Sequence, residues 1–74
     1  MEDCFLKDQT RISFHGNFKG RKVYRNSDGS RFYTYDYTHN EVEVYNKRGV
    51  HIGVVDPVTE EYIKGAIKGR IQEV

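Results

Sequence analysis

An aspartate, a histidine and two glutamates fall close together in the pattern Asp36-x-x-His39-x-Glu41-x-Glu43. In an extended chain rising about 3.3 Å per residue, His39, Glu41 and Glu43 project from one face, while Val42 and Val44 project from the other, buried one. An imidazole and two carboxylates beside tyrosine rings suit proton transfer at an RNA phosphodiester. A carboxylate takes the proton from the attacking 2′-hydroxyl, an imidazolium protonates the leaving oxygen, and an arginine meets the charge on the phosphorane. That chemistry needs no metal. The same residues also fit plainer readings, because polar side chains are expected on the wet face of an antiparallel strand. Asp36, His39 and Glu41 make a two-carboxylate, one-histidine metal set. One strand rarely wraps a cation with three of its own side chains, however, and no further His or Cys is placed to complete a shell, so no metal or other cofactor is expected. Nucleophilic catalysis by Cys4 is disfavoured, since it is the lone cysteine and has no evident histidine partner. His15 and His51 read as a loop histidine and a strand-surface histidine.

Period-2 alternation indicates the elements that carry these residues. From Arg31 to Tyr37, Phe32, Thr34 and Asp36 alternate with Tyr33, Tyr35 and Tyr37; from Glu41 to Tyr45, Glu41, Glu43 and Tyr45 alternate with Val42 and Val44. A third strand is expected between Val50 and Val55, with Gly53 marking a bulge or a close approach. Turn residues fall between these runs: Ser27-Asp28-Gly29 after Lys22-Val23-Tyr24, Lys47-Arg48-Gly49, and Asp56-Pro57. The expected fold is mainly β, a small twisted antiparallel sheet built as a meander of hairpins with little helix. Thr10 to Phe14 adds an edge strand. After Asp56 the pattern divides. Thr59 could cap a helix with Ile63, Ala66, Ile67, Ile71 and Val74 on its apolar face, but Gly65 and Gly69 would each cost about 1 kcal/mol there. A short strand at Tyr62 to Lys64 followed by an irregular tail is favoured.

A chain of 74 residues has room for one core, so residues 1–74 are expected to form a single domain. One cysteine excludes an internal disulfide and any zinc site built on paired cysteines. Apolar runs of two or three residues exclude a membrane span and the apolar core of a signal peptide, which predicts a soluble domain. The net charge of +1 hides a segregation along the chain. Residues 11–31 carry a net +5 (Arg11, Lys19, Arg21, Lys22, Arg25 and Arg31 against Asp28). Residues 36–61 carry −4 (Asp36, Glu41, Glu43, Asp56, Glu60 and Glu61 against Lys47 and Arg48), and residues 62–74 carry +2 (Lys64, Lys68 and Arg70 against Glu73). Basic flanks around an acidic centre fit a polyanion-binding surface enclosing functional carboxylates. Lys19, Arg21, Lys22, Lys47, Arg48, Lys64 and Lys68 are the candidates for holding RNA.

Four segments resemble one known family. They are Lys19-Gly-Arg-Lys-Val-Tyr24, then Tyr35-Asp36-x-x-His39-x-Glu41-x-Glu43-x-Tyr45, then Gly49-x-His51-x-Gly53-x-x-Asp56-Pro57-x-Thr59, and finally Lys64-Gly65 with Arg70. In order and spacing they resemble the cytotoxic ribonuclease domain of ribosome-inactivating colicins and cloacin, and of related contact-dependent growth-inhibition toxins. The resemblance covers about residues 19 to 71 and leaves 1–18 as a segment of unknown role. It implies a twisted antiparallel sheet and an endoribonuclease that cuts 16S ribosomal RNA in the decoding centre and stops translation. It also implies release or surface delivery by a producing bacterium, action in the cytoplasm of a target cell, and an acidic immunity protein in the producer. Carried over by position, Glu43 is the general base, His39 the general acid, Asp36 the residue orienting the histidine, Arg70 the cation on the phosphorane, and Glu41 a supporting carboxylate. Strand spacing favours Glu41 as base instead, since it lies about 7 Å from His39 along an ideal strand and Glu43 about 13 Å. A non-catalytic RNA-binding module whose tyrosines stack bases, and a toxin ribonuclease acting on another RNA such as transfer RNA, are the alternatives.

Overall fold

Side-chain alternation along two central strands sets the two faces of the sheet. The computed structural model describes residues 4–65 and contains six strands: β1 (Ile12–Phe18), β2 (Arg21–Asn26), β3 (Arg31–Asp36), β4 (Glu41–Asn46), β5 (His51–Val55) and β6 (Tyr62–Gly65). They form one antiparallel sheet in chain order, the hairpin meander that the alternation predicts. In the β3–β4 register, Tyr33 faces Val44 and Tyr35 faces Val42 on one side of the sheet. Phe32 faces Tyr45, Thr34 faces Glu43 and Asp36 faces Glu41 on the other.

The first face builds the main core. Val42, Val44, Val55 and Ile12 pack with Cys4, Phe5 and Leu6, and Tyr24, Tyr33, Tyr35 and Ile52 flank them. Phe5 and Leu6 belong to a short 3-10 turn (Phe5–Lys7) laid across this face, and the Phe5 ring meets Tyr33 edge-on at 5.3 Å. The Phe5 backbone N–H donates to the Pro57 carbonyl at 2.8 Å. Arg11, just before β1, makes two 2.7 Å hydrogen bonds to Glu60, just before β6. These contacts join the start of the chain to the segment between β5 and β6. Residues 4–18, part of the segment of unknown role, therefore contribute the expected edge strand, which runs on to Phe18, and the core residues Cys4, Phe5, Leu6 and Ile12. No helix among the described residues is long and apolar enough to cross a membrane.

The second face departs from expectation. Its alternation suggests a wet surface, yet Val23, Thr34, Glu43, Tyr45, His51 and Val54 are all buried. Period-2 patterning assigns a residue to a face but not to a depth. On this face Glu43 is flanked by the side chains of Thr34 and Val54, and Tyr45 by those of Phe32 and His51, from the strands on either side.

Aspartate or asparagine side chains close most of the turns. Asp28 accepts from the Ser30 N–H, Asp36 from Thr38, Asn46 from Arg48 and Asp56 from Val58, all at 2.8–2.9 Å. The β1–β2 hairpin is different: Lys19 (φ 51) and Gly20 (φ 78) both adopt left-handed backbone, the requirement of a tight two-residue turn. Thr59 caps no helix, since residues 57–59 form a turn and β6 follows. The expected irregular tail, with Lys68 and Arg70, lies outside the described residues.

Candidate active site

The end of β3, the β3–β4 turn and the first half of β4 assemble the acidic cluster. Asp36 is the last residue of β3, His39 lies in the turn, Glu41 opens β4 and Glu43 is at its middle. An extended chain from His39 to Glu43 is not what forms, because Asn40 has a φ of 53 and turns the backbone before β4 begins. His39 consequently folds back on Asp36. Its Nδ1 lies 2.8 Å from one Asp36 carboxylate oxygen, while the other oxygen accepts from the backbone N–H groups of Thr38 (2.9 Å) and His39 (3.3 Å).

These bonds determine charge and tautomer together. The His39 ring, helped by the backbone N–H groups of His39 and Thr38, holds the Asp36 carboxyl below the ordinary carboxylate value against its partial burial. An ionised Asp36 can only accept, so the proton on the shared edge belongs to Nδ1 and the exposed Nε2 is left to exchange protons with a ligand.

Glu41 joins this pair, since donor atoms of Asp36, His39 and Glu41 all lie within 4.8 Å of one another. The same convergence is what a cation would ask for. Exposed acidic groups gather without one, however, and a metal on Nδ1 would displace the hydrogen bond to Asp36.

Glu43 occupies a separate setting on the same face. Its side chain is 11% exposed, with one oxygen 3.4 Å from the Arg21 guanidinium and the other 3.4 Å from Nε2 of His51. His51 is buried, at 1% exposure, and its ring meets the Tyr45 ring at 5.4 Å. The expectation of a strand-surface histidine is thus corrected. A bulge sets its face and the neighbours there bury it: Val44 pairs with Gly53 but Tyr45 pairs with His51, so the extra residue Ile52 reverses the phase of β5 and puts His51 on the Glu43 face, beside buried Tyr45 and Glu43. Gly53 was the available sign of it. His15, expected in a loop, lies instead in β1, as the unpaired residue of a similar irregularity between Phe14 and Gly16, with its ring 4.8 Å from Phe32.

The basic candidates separate to opposite ends of the sheet. Lys19, Arg21 and Lys22 lie at or beside the β1–β2 turn, the end that also carries Asp36 and His39. Lys47 and Arg48 form the β4–β5 turn at the far end, against Ser30, Arg31 and Asn46. Of Lys64 only the backbone is described, paired with Val54, and Lys68 and Arg70 lie outside the described residues. Cys4 is buried, its Sγ accepts the Leu6 N–H at 3.5 Å, and burial pushes its thiol up, which suits a core residue rather than a nucleophile.

The arrangement offers a carboxylate-held imidazole with one nitrogen outward, two further carboxylates on one face, and a guanidinium at the more buried of them. That set can move protons at a phosphodiester. No curated protein matches the chain significantly. The family model named Cytotoxic matches residues 5–73, extending the resemblance across β1 and the 3-10 turn, so the chain belongs to this family of colicin- and cloacin-type cytotoxic ribonuclease domains, which makes it a toxin nuclease domain.

Proposed function

We propose that the domain is an endoribonuclease that cuts 16S ribosomal RNA in the decoding centre, without a metal, and so arrests translation. The observation that carries this reading is the Asp36–His39 hydrogen bond of 2.8 Å on the same sheet face as Glu41 and Glu43. Glu43, held between Arg21 and His51, takes the proton from a ribose 2′-hydroxyl. The freed oxygen attacks the adjacent phosphorus, and the bond from phosphorus to the 5′-oxygen of the next nucleotide breaks. Nε2 of His39, protonated, gives its proton to that leaving oxygen. The products are a 2′,3′-cyclic phosphate and a 5′-hydroxyl, with protons conserved between base and acid. Arg21 stands where phosphate charge would meet a guanidinium, and the family resemblance adds Arg70 to that role.

A toxin of this class is delivered from a producing bacterium to the cytoplasm of a target cell, and its producer keeps an acidic immunity protein against the basic surfaces. Cleavage of purified ribosomes, read on a denaturing gel with and without EDTA, tests the reading. A defined small-subunit fragment unaffected by chelator is expected. Loss of cutting in EDTA with rescue by a divalent ion would sink the metal-free mechanism, and cutting of naked transfer RNA in preference to ribosomes would move the target. Single-turnover rates for Glu43→Ala and Glu41→Ala decide the base. Glu43→Ala is expected to lose roughly 10²- to 10⁴-fold and Glu41→Ala much less. The reverse order on folded proteins assigns the base to Glu41.

A further inference from the structure

β2 and β3 separate before they end. Their ladder runs only from Arg25 opposite Phe32 to Val23 opposite Thr34. β1 stays with β2 as far as Phe18 opposite Arg21, and β3 stays with β4 as far as Asp36 opposite Glu41. The two hairpins diverge at the end that carries His39 and leave a cleft of about 330 Å³ between them. Arg21 and Lys22 line one jaw, Tyr35, Asp36 and Tyr37 line the other, and Tyr24 closes the side where pairing resumes.

Two features of this cleft point to a ligand that is flat at one end and anionic at the other. Tyr37 is 74% exposed, a large ring left in solvent beside two cations. Its position is fixed from behind, because its ring lies 4.7 Å from that of Tyr35, and the Tyr35 hydroxyl in turn donates to the Asn40 side-chain carbonyl. A preset aromatic surface loses little freedom when a base stacks on it. The volume is at the low end for a small-molecule site, enough for one nucleotide and too little for a duplex, whose bases are not splayed out for stacking. Asp36 links the cleft directly to His39.

We propose that this cleft binds one unpaired nucleotide of the substrate strand next to the scissile phosphate, with its base stacked on Tyr37 and its phosphate between Arg21 and Lys22. The inference rests on the ribonuclease reading above and adds a reason for cutting unpaired RNA. Tyr37→Trp gives the chain its one tryptophan, since it has none of its own, and so a fluorescent reporter in the jaw. Two probes are compared: a 2′-O-methyl hexanucleotide, which cannot be cleaved, and an abasic hexamer with the same phosphates. Strong quenching by the first and at least about fivefold weaker quenching by the second are expected. On a cleavable oligonucleotide, Tyr37→Leu should raise KM about 5- to 100-fold with kcat little changed, and Tyr37→Phe should restore it. Equal quenching by both probes, or an unchanged KM in Tyr37→Leu, overturns the site. RNA cleavage by Tyr37→Trp is assayed in parallel to separate the two readings. Cleavage without quenching removes the nucleotide site alone; base-dependent quenching without cleavage leaves the site and removes the ribonuclease.

Discussion

The β3–β4 and β4–β5 turns use one local device for different ends. Asn46 closes the second by accepting from the N–H groups of Arg48 (2.9 Å) and Val50 (3.1 Å) through its single side-chain carbonyl. Asp36 closes the first in the same way with one oxygen, then uses its second oxygen to hold the His39 ring. An asparagine has an amide nitrogen at that position, a donor where the histidine N–H needs an acceptor. A carboxylate at the head of a turn can therefore brace the backbone and aim an imidazole at once, and an amide can do only the first. The two turns also lie at opposite ends of the sheet, so Lys47 and Arg48 are a strand's length from the acidic cluster.

The sharpest way to break this contrast is to remove one exposed side chain from each turn. His39→Ala should lower single-turnover RNA cleavage roughly 10²- to 10⁴-fold. Arg48→Ala should weaken RNA binding and its salt dependence while leaving the saturated rate within a few fold. Comparable losses of rate at the two positions would mean that the β4–β5 turn belongs to the reacting centre after all.

A smaller effect sharpens it. Asp36→Asn keeps the acceptor for the Thr38 N–H but offers the wrong partner to Nδ1 of His39, so a rate loss of about 10- to 100-fold is expected with the fold intact. The same variant carries a pH signature. The hydrogen bonds to Asp36 lower its folded-state pKa, so the stability it contributes is fully present above its unfolded value of about 3.9 and is lost as pH falls through the lower folded value. Acid titration followed by circular dichroism should show that part of the wild-type loss missing from Asp36→Asn. Superimposable acid profiles would show that the carboxylate braces nothing.

The smallest effect is expected from the reciprocal change. Asn46→Asp retains an acceptor for both N–H groups and faces no histidine, so stability should stay within about 0.5 kcal/mol and cleavage within about twofold. A measured gain or loss of tenfold in cleavage would show that charge at the far end matters more than the turn comparison allows.

Alternation and turn residues sufficed for β3, β4 and β5, for the β5–β6 turn and for the short strand at Tyr62, because each signal is local. The β1–β2 turn left little trace, since Lys19 is an uncommon residue for left-handed backbone and only Gly20 hints at it. Thr10 to Phe14 showed as an edge strand, but the role of residues 4–11 in packing was hidden. Nothing in Cys4-Phe5-Leu6 says which face of a distant sheet they cover, and the Arg11–Glu60 pair joins residues 49 apart in sequence.

For the site, the residue types and spacing from Asp36 to Glu43 determined the chemistry on offer, because two carboxylates and an imidazole within one hairpin must lie near one another. The pairing of Asp36 with His39 is likewise a matter of a four-residue turn. Only the tertiary structure decided which carboxylate is exposed and which is enclosed. Glu43 draws Arg21 from β2 and His51 from β5, and those contacts depend on strand register, on the phase reversal at Ile52 and on burial in mid-sheet. None of these is local to the sequence around Glu43, so the same four residues on an edge strand would have presented the same pattern in a different electrostatic setting.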